Sequence, residues 1–348
     1  MNYSNVKVIS WQVNTSPVKG EHGNYYPGYC LNKTNDVYSD VINQCYDIEA
    51  RIDFFKKVLQ QASQYFDRND DTLNVFVAPE FLFRGTLGAY IEDLLNGWEI
   101  APKVFKLQGL RLNQKWPGLF GFLDNIIEND SYKNCLFVIG TSIGASFKVE
   151  NGDLKTTTAE AYNCAYVKVG GKGGAKHICR KKYMSTIDFL DQVNNYGITN
   201  PNVKHLIDLN ENVFGEEGPI FSFSEIKKVN NEEIVFGLEI CLDHNITING
   251  TQGRINSAHQ KVDIQLVPSC GMSLKLASLA LKDGNSYAIN CDGMEPHTKI
   301  CDREFHPIEC MSHNLNDGIN FHGEELVSTM FWKKGLGEII ESPLLPLT

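Results

Sequence analysis

The sequence predicts an α/β protein in which buried strands alternate with amphipathic helices. Two observations lead to this prediction. Short apolar runs rich in Val, Ile and Phe recur along the chain, and stretches with apolar residues at steps of three and four lie between them. Strands that are apolar throughout are typical of sheets covered on both faces, which favours an α/β over an all-β architecture. Because no internal repeat, heptad array or dividing linker is visible, we predict one domain over residues 1–348.

The first half of the chain supplies four predicted strands and two predicted helices. Residues 6–13 alternate and are rich in β-formers, which indicates an opening strand. Apolar residues then recur at helical spacing from Ile48 to Phe66, which predicts an amphipathic helix. The remaining elements predicted in this half are strands at 73–78, 135–143 and 161–169 and a helix at 119–127.

The second half repeats the alternation of strands and helices. We predict strands at 234–240, 264–268 and 287–290, a helix that ends within 256–261, and a helix over 273–282. The glycine-rich residues 172–174 lack the GK[ST] ending of a phosphate-binding loop, so a hairpin is the better interpretation.

Composition excludes several classes of partner. The net charge of −10 and the lack of a basic stripe argue against nucleic acid or an anionic membrane as a partner. No run of 18 or more apolar residues suggests a membrane span, and we see no secretory signal. Ten cysteines are spread thinly over the chain, several of them inside apolar strands, so we expect reduced thiols and a cytoplasmic location.

Three places combine an apolar strand with a reactive side chain at its end. Glu80 follows the strand in VFVAPEF, Lys181 and Lys182 follow ICR, and Cys241 lies where GLEI breaks into a polar turn. Sites in α/β folds assemble at the carboxyl ends of strands, so we expect these groups to meet. A carboxylate, an amine and a thiol together make a nucleophilic set.

Each group has a distinct role in such a site. A thiol needs a base or a nearby cation at neutral pH, and Glu80 can take its proton if burial raises the pKa of the carboxyl. A lysine ammonium can stabilise the thiolate and then an oxyanion, helped by the backbone N–H of Leu242. Taken singly, each residue has an ordinary explanation as packing, cap or surface charge, so the hypothesis depends on all three.

The three segments resemble the ordered signatures of the nitrilase superfamily, the carbon–nitrogen hydrolases. VFVAPEFLFRG is similar to the first signature, CRKKYM to the second and GLEICLDHN to the third. Flanking segments such as KVISWQVN and VDIQLVPSCGM also resemble the family's strands. The resemblance implies an α-β-β-α sandwich, Glu80 as general base, Lys181 rather than Lys182 as the lysine, and Cys241 as nucleophile. It also implies pairing of protomers into homodimers or larger homo-oligomers.

The spacing between the signatures departs from the family pattern. The gaps from Glu80 to Lys181 and from Lys181 to Cys241 are wider than usual in the family. We therefore expect insertions at 86–118 and 185–218. We also expect an insertion at 20–46 and a C-terminal extension from about residue 295. These segments are where we expect substrate specificity to reside.

Several further acids and a histidine are candidates for the pocket. Many family members have a second acid after the lysine; Asp188 and Asp191 lie near that place and Glu216 and Glu217 lie further on, but none aligns convincingly. Of these, Asp188 and Glu217 are our pocket candidates, together with His244. The last lies three residues after Cys241, which could suggest a Cys–His dyad, but such bases normally come from distant segments. We therefore interpret His244 as a turn residue that lines the pocket.

The C-terminal region is rich in potential zinc ligands, namely Cys291, His297, Cys301, His306, Cys310, His313 and His322. Because it contains no CxxC pair and fits no standard spacing, we predict packing and loops rather than a metal site. We predict neither a metal nor a cofactor.

These observations predict hydrolysis of a non-peptide C–N bond, in an amide or an N-carbamoyl compound, through a thioester on Cys241. Three alternatives stay open: a nitrilase acting on a C≡N group, an acyltransferase that uses an amine in place of water, and a catalytically inactive binding module.

Overall fold

The computed structural model describes residues 1–20, 23–25, 41–85, 88–185, 187–188, 204–205, 218–294, 298–315 and 336–347. Within these ranges the chain is mixed α/β, with several sheets and few helices. The helices are α1 (Val41–Ala62), α2 (Glu92–Asn96), α3 (Gly118–Ile127), α4 (Leu242–Asn245) and α5 (Arg254–Ser257). Short 3₁₀ turns lie at Ser63–Tyr65, Lys103–Phe105, Arg111–Asn113, Asp130–Tyr132 and Leu276–Ser278.

The strands, in chain order, are β1 (Asn2–Tyr3), β2 (Asn5–Gln12), β3 (Val18–Gly20), β4 (Gly23–Tyr25), β5 (Thr72–Ala78), β6 (Tyr90–Ile91), β7 (Cys135–Glu150), β8 (Asp153–Val169), β9 (Lys176–Arg180), β10 (Lys204–His205), β11 (Ile220–Phe221), β12 (Lys227–Lys228), β13 (Phe236–Leu238), β14 (Thr247–Ile248), β15 (Thr251–Gln252), β16 (Ile264–Ser269), β17 (Tyr287–Asp292), β18 (Lys299–Asp302), β19 (Met311–Asn314), β20 (Glu338–Glu341) and β21 (Leu345–Pro346).

Two sheets organise the described chain. The first has the order β10-β8-β7-β5-β2-β20-β19, with β6 beside β7, β9 beside β8 and β21 beside β2. The second has the order β11-β13-β16-β17-β18. In the first sheet β5 is parallel to β7, while β8 is antiparallel to both β7 and β9. It follows that β5 and β9 run in the same direction, and their carboxyl ends face the same way.

The two sheets pack face to face around a shared apolar core. This core takes side chains from both sheets, among them Val6, Val75 and Val167 from the first and Leu238, Leu266 and Ile289 from the second. Alternation along the strands sends the intervening residues of the first sheet, such as Trp11 and Phe76, to its opposite face, where they pack under α1 and α3. Burial of apolar surface on both faces of the first sheet explains why its strand β5 is buried at every position.

The segment 273–282, beside the second sheet, does not form the helix that the sequence predicts. The helix predicted over 273–282 is wrong: the segment holds only the 3₁₀ turn Leu276–Ser278. Its end is extended because Val262 donates to the carbonyl of Ala280 (2.8 Å) and Lys282 donates to that of Val262 (2.9 Å). Three consecutive residues, 279–281, are buried, which a helix facing solvent on one side does not allow.

The other predicted elements are present, with altered bounds. The helix expected from Ile48 begins at Val41, and the one expected to end within 256–261 is the single turn α5. The strand predicted at 234–240 is only three residues long. Residues 172–174 do form a hairpin, because β8 and β9 pair in antiparallel register on either side of them.

The long hairpin of β7 and β8 extends well beyond the two strands predicted there. Its tip is Asn151-Gly152, with φ of 54° and 84°, and Glu150 pairs with Asp153 across it. Two residues with positive φ are what a type I′ turn requires, and Asn-Gly is the preferred sequence. The hairpin turn thus explains why β7 and β8 stay paired so far from the core.

The expected insertion at 86–118 is partly described and packs against the helical layer. Ile91 donates its N–H to Oε1 of Gln44 in α1 (3.1 Å), and Arg111 pairs with Glu49 of the same helix (2.6 Å). The indole of Trp116 is buried and donates to the carbonyl of Leu94. This segment therefore enlarges the apolar core beneath α1 and α3.

The C-terminal extension is integral to both sheets. Strand β18 joins the second sheet, while β20 and β21 both pair with β2 in the first. Ile339 is fully buried, and Ser342 accepts the N–H of Val8 on its hydroxyl and donates its own N–H to the carbonyl of Val8.

Among the described helices, none combines the length and hydropathy needed to cross a bilayer.

Candidate active site

Glu80 lies just beyond the carboxyl end of β5, where the two sheets approach each other. Its N–H donates to the carbonyl of Ser269 at the end of β16 (3.3 Å), and its carbonyl accepts the hydroxyl of Thr15. Phe81, the next residue, has a positive φ of 64° and donates its N–H to the hydroxyl of Thr141 (2.9 Å). These backbone contacts from three segments turn the chain sharply and direct the Glu80 side chain into the interior, where it is fully buried.

Lys181 follows β9 and is buried as completely as Glu80. Its N–H donates to the carbonyl of Asn163 in β8 (2.8 Å). The two residues after it are held by Asp243, which accepts the N–H of Lys182 (3.1 Å) and of Tyr183 (2.8 Å). Because Asp243 comes two residues after Cys241, it ties the segment that follows Lys181 to the segment that follows Cys241.

Cys241 occupies a strained turn between β13 and α4. Its φ of 48° and ψ of −106° lie outside the regions that non-glycine residues ordinarily adopt, at a cost of about 1–3 kcal/mol. The turn is fixed on both sides, since Cys241 donates its N–H to Pro268 (3.0 Å) and accepts the N–H of His244 on its carbonyl (2.9 Å). A strained strand-to-helix turn of this kind is the geometry of a nucleophile elbow, which projects a side-chain atom away from the backbone.

The side chains of Glu80, Lys181 and Asp188 form one buried ionic cluster. Nζ of Lys181 lies 2.9 Å from Oε1 of Glu80, and 2.8 and 2.7 Å from the two carboxylate oxygens of Asp188. All three residues are essentially inaccessible to solvent. One ammonium therefore neutralises only one of two carboxylates, and the cluster is short of one positive charge or one proton.

The Glu80 carboxyl has the properties of a general base. Burial, together with the charge of Asp188, raises the pKa of Glu80 to about 7 against the opposing effect of the Lys181 ammonium. Its second oxygen, Oε2, is buried and accepts no full hydrogen bond from any residue that the structure describes. The thiol of Cys241 approaches this carboxyl closely enough to lower its pKa. A base titrating near neutrality beside a thiol is suited to proton transfer.

The thiol and the ammonium respond to the same surroundings in opposite ways. Burial and then the charge of Glu80 raise the pKa of Cys241 well above its ordinary value, while Lys181 lowers it by less. Burial lowers the pKa of Lys181, but Glu80 and Asp188 raise it by more, so the ammonium keeps its proton. At rest the site thus holds a neutral thiol, and thiolate forms only when Glu80 takes the proton.

Asp188 is the acid that the structure places on the lysine, among the four that the sequence offered. Its Oδ2 also accepts the hydroxyl of Ser185 (2.7 Å), and its N–H donates to the carbonyl of Ser185 (3.1 Å). Asp191, Glu216 and Glu217 lie outside the described residues. Lys182 does not join the cluster: its Nζ lies over the ring of Tyr183, 5.6 Å from the ring centre.

Asn163 belongs to the cluster, and sequence reasoning missed it. Its Nδ2 donates to Oε1 of Glu80 (2.8 Å) and to Oδ1 of Asp188 (2.9 Å). A signal was present, because Asn163 is the polar residue in the apolar run AYNCAYV, and a buried strand admits an amide only where it finds partners.

The N–H of Leu242 is the oxyanion donor expected from the sequence. Leu242 is the first residue of α4, directly after Cys241. The N–H groups that follow it, on Asp243 and His244, donate to the carbonyls of Ile240 and Cys241, so in the first turn of α4 Leu242 is the candidate donor to an oxyanion.

His244 is placed as a structural residue of α4 rather than as a base for Cys241. It is fully buried; Nδ1 lies 2.7 Å from Oε2 of Glu239, and Nε2 accepts the N–H of Lys275 (3.1 Å). Both ring nitrogens are therefore occupied: Nε2 is an acceptor, and Nδ1 carries the proton and donates it to Glu239. With its ring held in this way, His244 has no nitrogen available for a thiol.

The cysteines and histidines of the C-terminal region are dispersed. Cys291 and Cys301 are buried in two different cores, while His313 pairs with Glu341 (2.7 Å). His297 and His322 lie outside the described residues. Within the described ranges, the group with metal-binding spacing is Asp302, Glu304 and His306, which is largely exposed. The nine described cysteines are free thiols.

Comparison with known proteins adds nothing to these residues: no family model, no curated protein and no solved structure matches the chain.

Proposed function

We propose that this protein is a carbon–nitrogen hydrolase of the nitrilase type. Its substrate would be a small amide or N-carbamoyl compound, cleaved through a thioester on Cys241. The observation that carries the proposal is the meeting of Glu80, Lys181 and Cys241 at strand ends from two sheets, with a buried carboxyl of pKa about 7 beside the thiol. The α-β-β-α sandwich and the pairing of protomers belong to the same proposal, as does a reducing, cytoplasmic setting.

The first half of the reaction forms the thioester. The S–H bond of Cys241 breaks, its proton passes to Glu80, and the electron pair left on sulfur attacks the carbonyl carbon of the substrate. The carbonyl oxygen becomes an oxyanion, which Lys181 and the N–H of Leu242 stabilise. Glu80 then gives its proton to the departing nitrogen, the C–N bond breaks, and ammonia or an amine leaves.

The second half returns the enzyme to its starting state. Glu80, again a carboxylate, takes a proton from water, and the hydroxyl attacks the thioester carbon. The C–S bond breaks, the proton returns to sulfur, and a carboxylic acid is released. Asp188 keeps Lys181 protonated and in place through both halves, since each of its carboxylate oxygens lies within hydrogen-bonding distance of Nζ.

The test is a screen for ammonia release from short amides, ω-amides, carbamoyl amino acids and nitriles, with Cys241→Ala as the control. We expect release from at least one class that the variant abolishes, together with a mass increase on Cys241 that corresponds to the acyl group. Added amines would divert the thioester if the protein is an acyltransferase. If no substrate gave Cys241-dependent release and an electrophilic probe failed to label Cys241, the proposal would be wrong.

A further inference from the structure

The contacts of Asn163 single out this residue within the ionic cluster. It is fully buried in β8, its backbone carbonyl accepts the N–H of Lys181, and its side-chain amide reaches both carboxylates. One residue therefore holds the lysine through the main chain and the two acids through the side chain. Among the described residues, Asn163 and Lys181 both bridge the carboxylates of Glu80 and Asp188.

Only a primary amide of this length meets the requirements of the position. Glu80 and Asp188 both present carboxylate oxygens, so the NH₂ group and not the carbonyl of Asn163 must face them. The NH₂ group has two N–H bonds and gives one to each acid without adding charge. Serine has one donor, aspartate has none when ionised, and the NH₂ group of glutamine lies one methylene further from the backbone than the two acceptors require.

The two donors to Glu80 leave its other oxygen for the thiol. Oε1 of Glu80 accepts both Lys181 and Asn163, at 2.9 and 2.8 Å, whereas Oε2 is buried without a full hydrogen bond from the described residues. A carboxylate held by one oxygen from two directions cannot rotate about its Cγ–Cδ bond without losing both bonds. The orientation of Oε2 is therefore fixed by Asn163 as much as by Lys181.

We propose that Asn163 is a positioning residue for the Cys241 chemistry: its amide fixes the Glu80 and Asp188 carboxylates about Lys181, so that Oε2 of Glu80 receives the thiol proton. This inference rests on the proposed function, because it assigns Asn163 a role in the same proton transfer. In that step the S–H bond breaks, the proton passes to Oε2, and the electron pair stays on sulfur for attack.

The experiment measures alkylation of Cys241 by iodoacetamide from about pH 5 to about pH 9, with the labelled site identified by peptide mass. The full-length protein is compared with Asn163→Leu, which removes both donors, and Asn163→Asp, which also adds a negative charge. Asn74→Leu is the matched control, because Asn74 is equally buried but its side chain bonds to Asp67 at the other end of β5.

In the unaltered protein we expect reactivity to fall on the acid side of neutrality, as Glu80 becomes protonated and can no longer accept the thiol proton. Losing the two donors destabilises the ionised form of Glu80, so in Asn163→Leu the pH at which Cys241 reactivity falls should rise by about 1 unit. The added charge moves it by about 1–3 units in Asn163→Asp. Asn74→Leu should leave it in place. Aspartate has the same shape as asparagine and is uncharged when protonated, so the folding of Asn163→Asp is checked first at acid pH.

The outcomes separate the two claims. If the fall in reactivity stays at its original pH in both folded Asn163 variants, Asn163 only fills space and the inference is wrong. If Glu80→Gln leaves the pH profile of Cys241 unchanged, the proposed function itself fails, whatever the Asn163 variants do.

Discussion

Two fully buried glutamates, Glu80 and Glu239, differ in how their oxygens are used. Glu239 accepts Ile255 N–H on Oε1 (2.8 Å), and on Oε2 it accepts Gln265 (2.8 Å) and His244 (2.7 Å). Glu80 accepts hydrogen bonds from two donors on Oε1. Its Oε2 accepts no hydrogen bond of ordinary geometry from the described residues. A carboxylate with every oxygen occupied stabilises the fold, whereas one with a free oxygen beside a thiol is available for proton transfer.

The largest difference we expect is between Glu80→Gln and Glu239→Gln. Glu80→Gln removes the base and should lower turnover and Cys241 alkylation by about 10²–10⁴-fold, with the fold retained. In Glu239→Gln the NH₂ group faces at least one donor in either orientation of the amide, so the change should lower the free energy of unfolding by about 1–3 kcal/mol and change alkylation only a few-fold. Alkylation rates and urea unfolding measure the two effects. Equal losses of alkylation in both variants would remove the distinction between the two glutamates.

Lys181→Met tests whether the Glu80 cluster depends on its ammonium. Two buried carboxylates would be left without a cation, which should lower the free energy of unfolding by about 3–5 kcal/mol at neutral pH. The loss should shrink in acid, because protonation removes the uncompensated charges. Adding Asp188→Asn to Lys181→Met should restore stability without restoring activity. If Lys181→Met alone were as stable as the unaltered protein at neutral pH, the charge balance of the cluster would not be as we describe it.

The pKa of Glu80 gives the cluster a characteristic pH dependence. Its folded value of about 7 lies above the ordinary value of 4.5, so the protonated carboxyl favours the folded state. This contribution is present below about pH 4.5 and is lost as the pH rises through 7, a change of about 3 kcal/mol. The free energy of unfolding is measured against pH for the unaltered protein and for Glu80→Gln. The change in this free energy between acid and neutral pH should differ between the two by this amount. Parallel curves would mean that Glu80 titrates normally.

The smallest effect on chemistry is expected for His244→Gln. This change removes a ring held by Glu239 and Lys275, so the free energy of unfolding should fall by about 1–3 kcal/mol. Alkylation of Cys241 at low temperature should stay within a few-fold of its original rate. A loss as large as that of Glu80→Gln would favour the Cys–His dyad over the arrangement proposed here.

The sequence was sufficient to predict the α/β class and to select residues that the structure brings together. Glu80, Lys181 and Cys241 each follow an apolar strand, and strand ends are local features that periodicity reveals. Asp188 could not be chosen over Glu217 from the sequence, because its position depends on how the chain turns back at Ser185. Asn163 acts across strands, and such contacts depend on register, which one strand's sequence does not fix.

The wrong and missed elements have physical reasons as well. Apolar residues between 273 and 282 suit a helix, but backbone bonds to Val262 and the side chain of Gln265 favour an extended chain. Strand β20 was not predicted, because its four residues carry little periodic signal and are stabilised by pairing with β2 and β19. In both places tertiary contacts outweigh local preference.

The late strand β20 has a consequence for how the chain is made. It pairs with β2, near the start of the sequence, although nearly the whole chain separates them. During synthesis one edge of β2 therefore stays open until β20 leaves the ribosome, and an open apolar edge invites pairing with other chains. Cells producing this protein would then need to shield β2 until β20 emerges, and truncation before residue 336 should yield aggregates rather than a smaller folded protein.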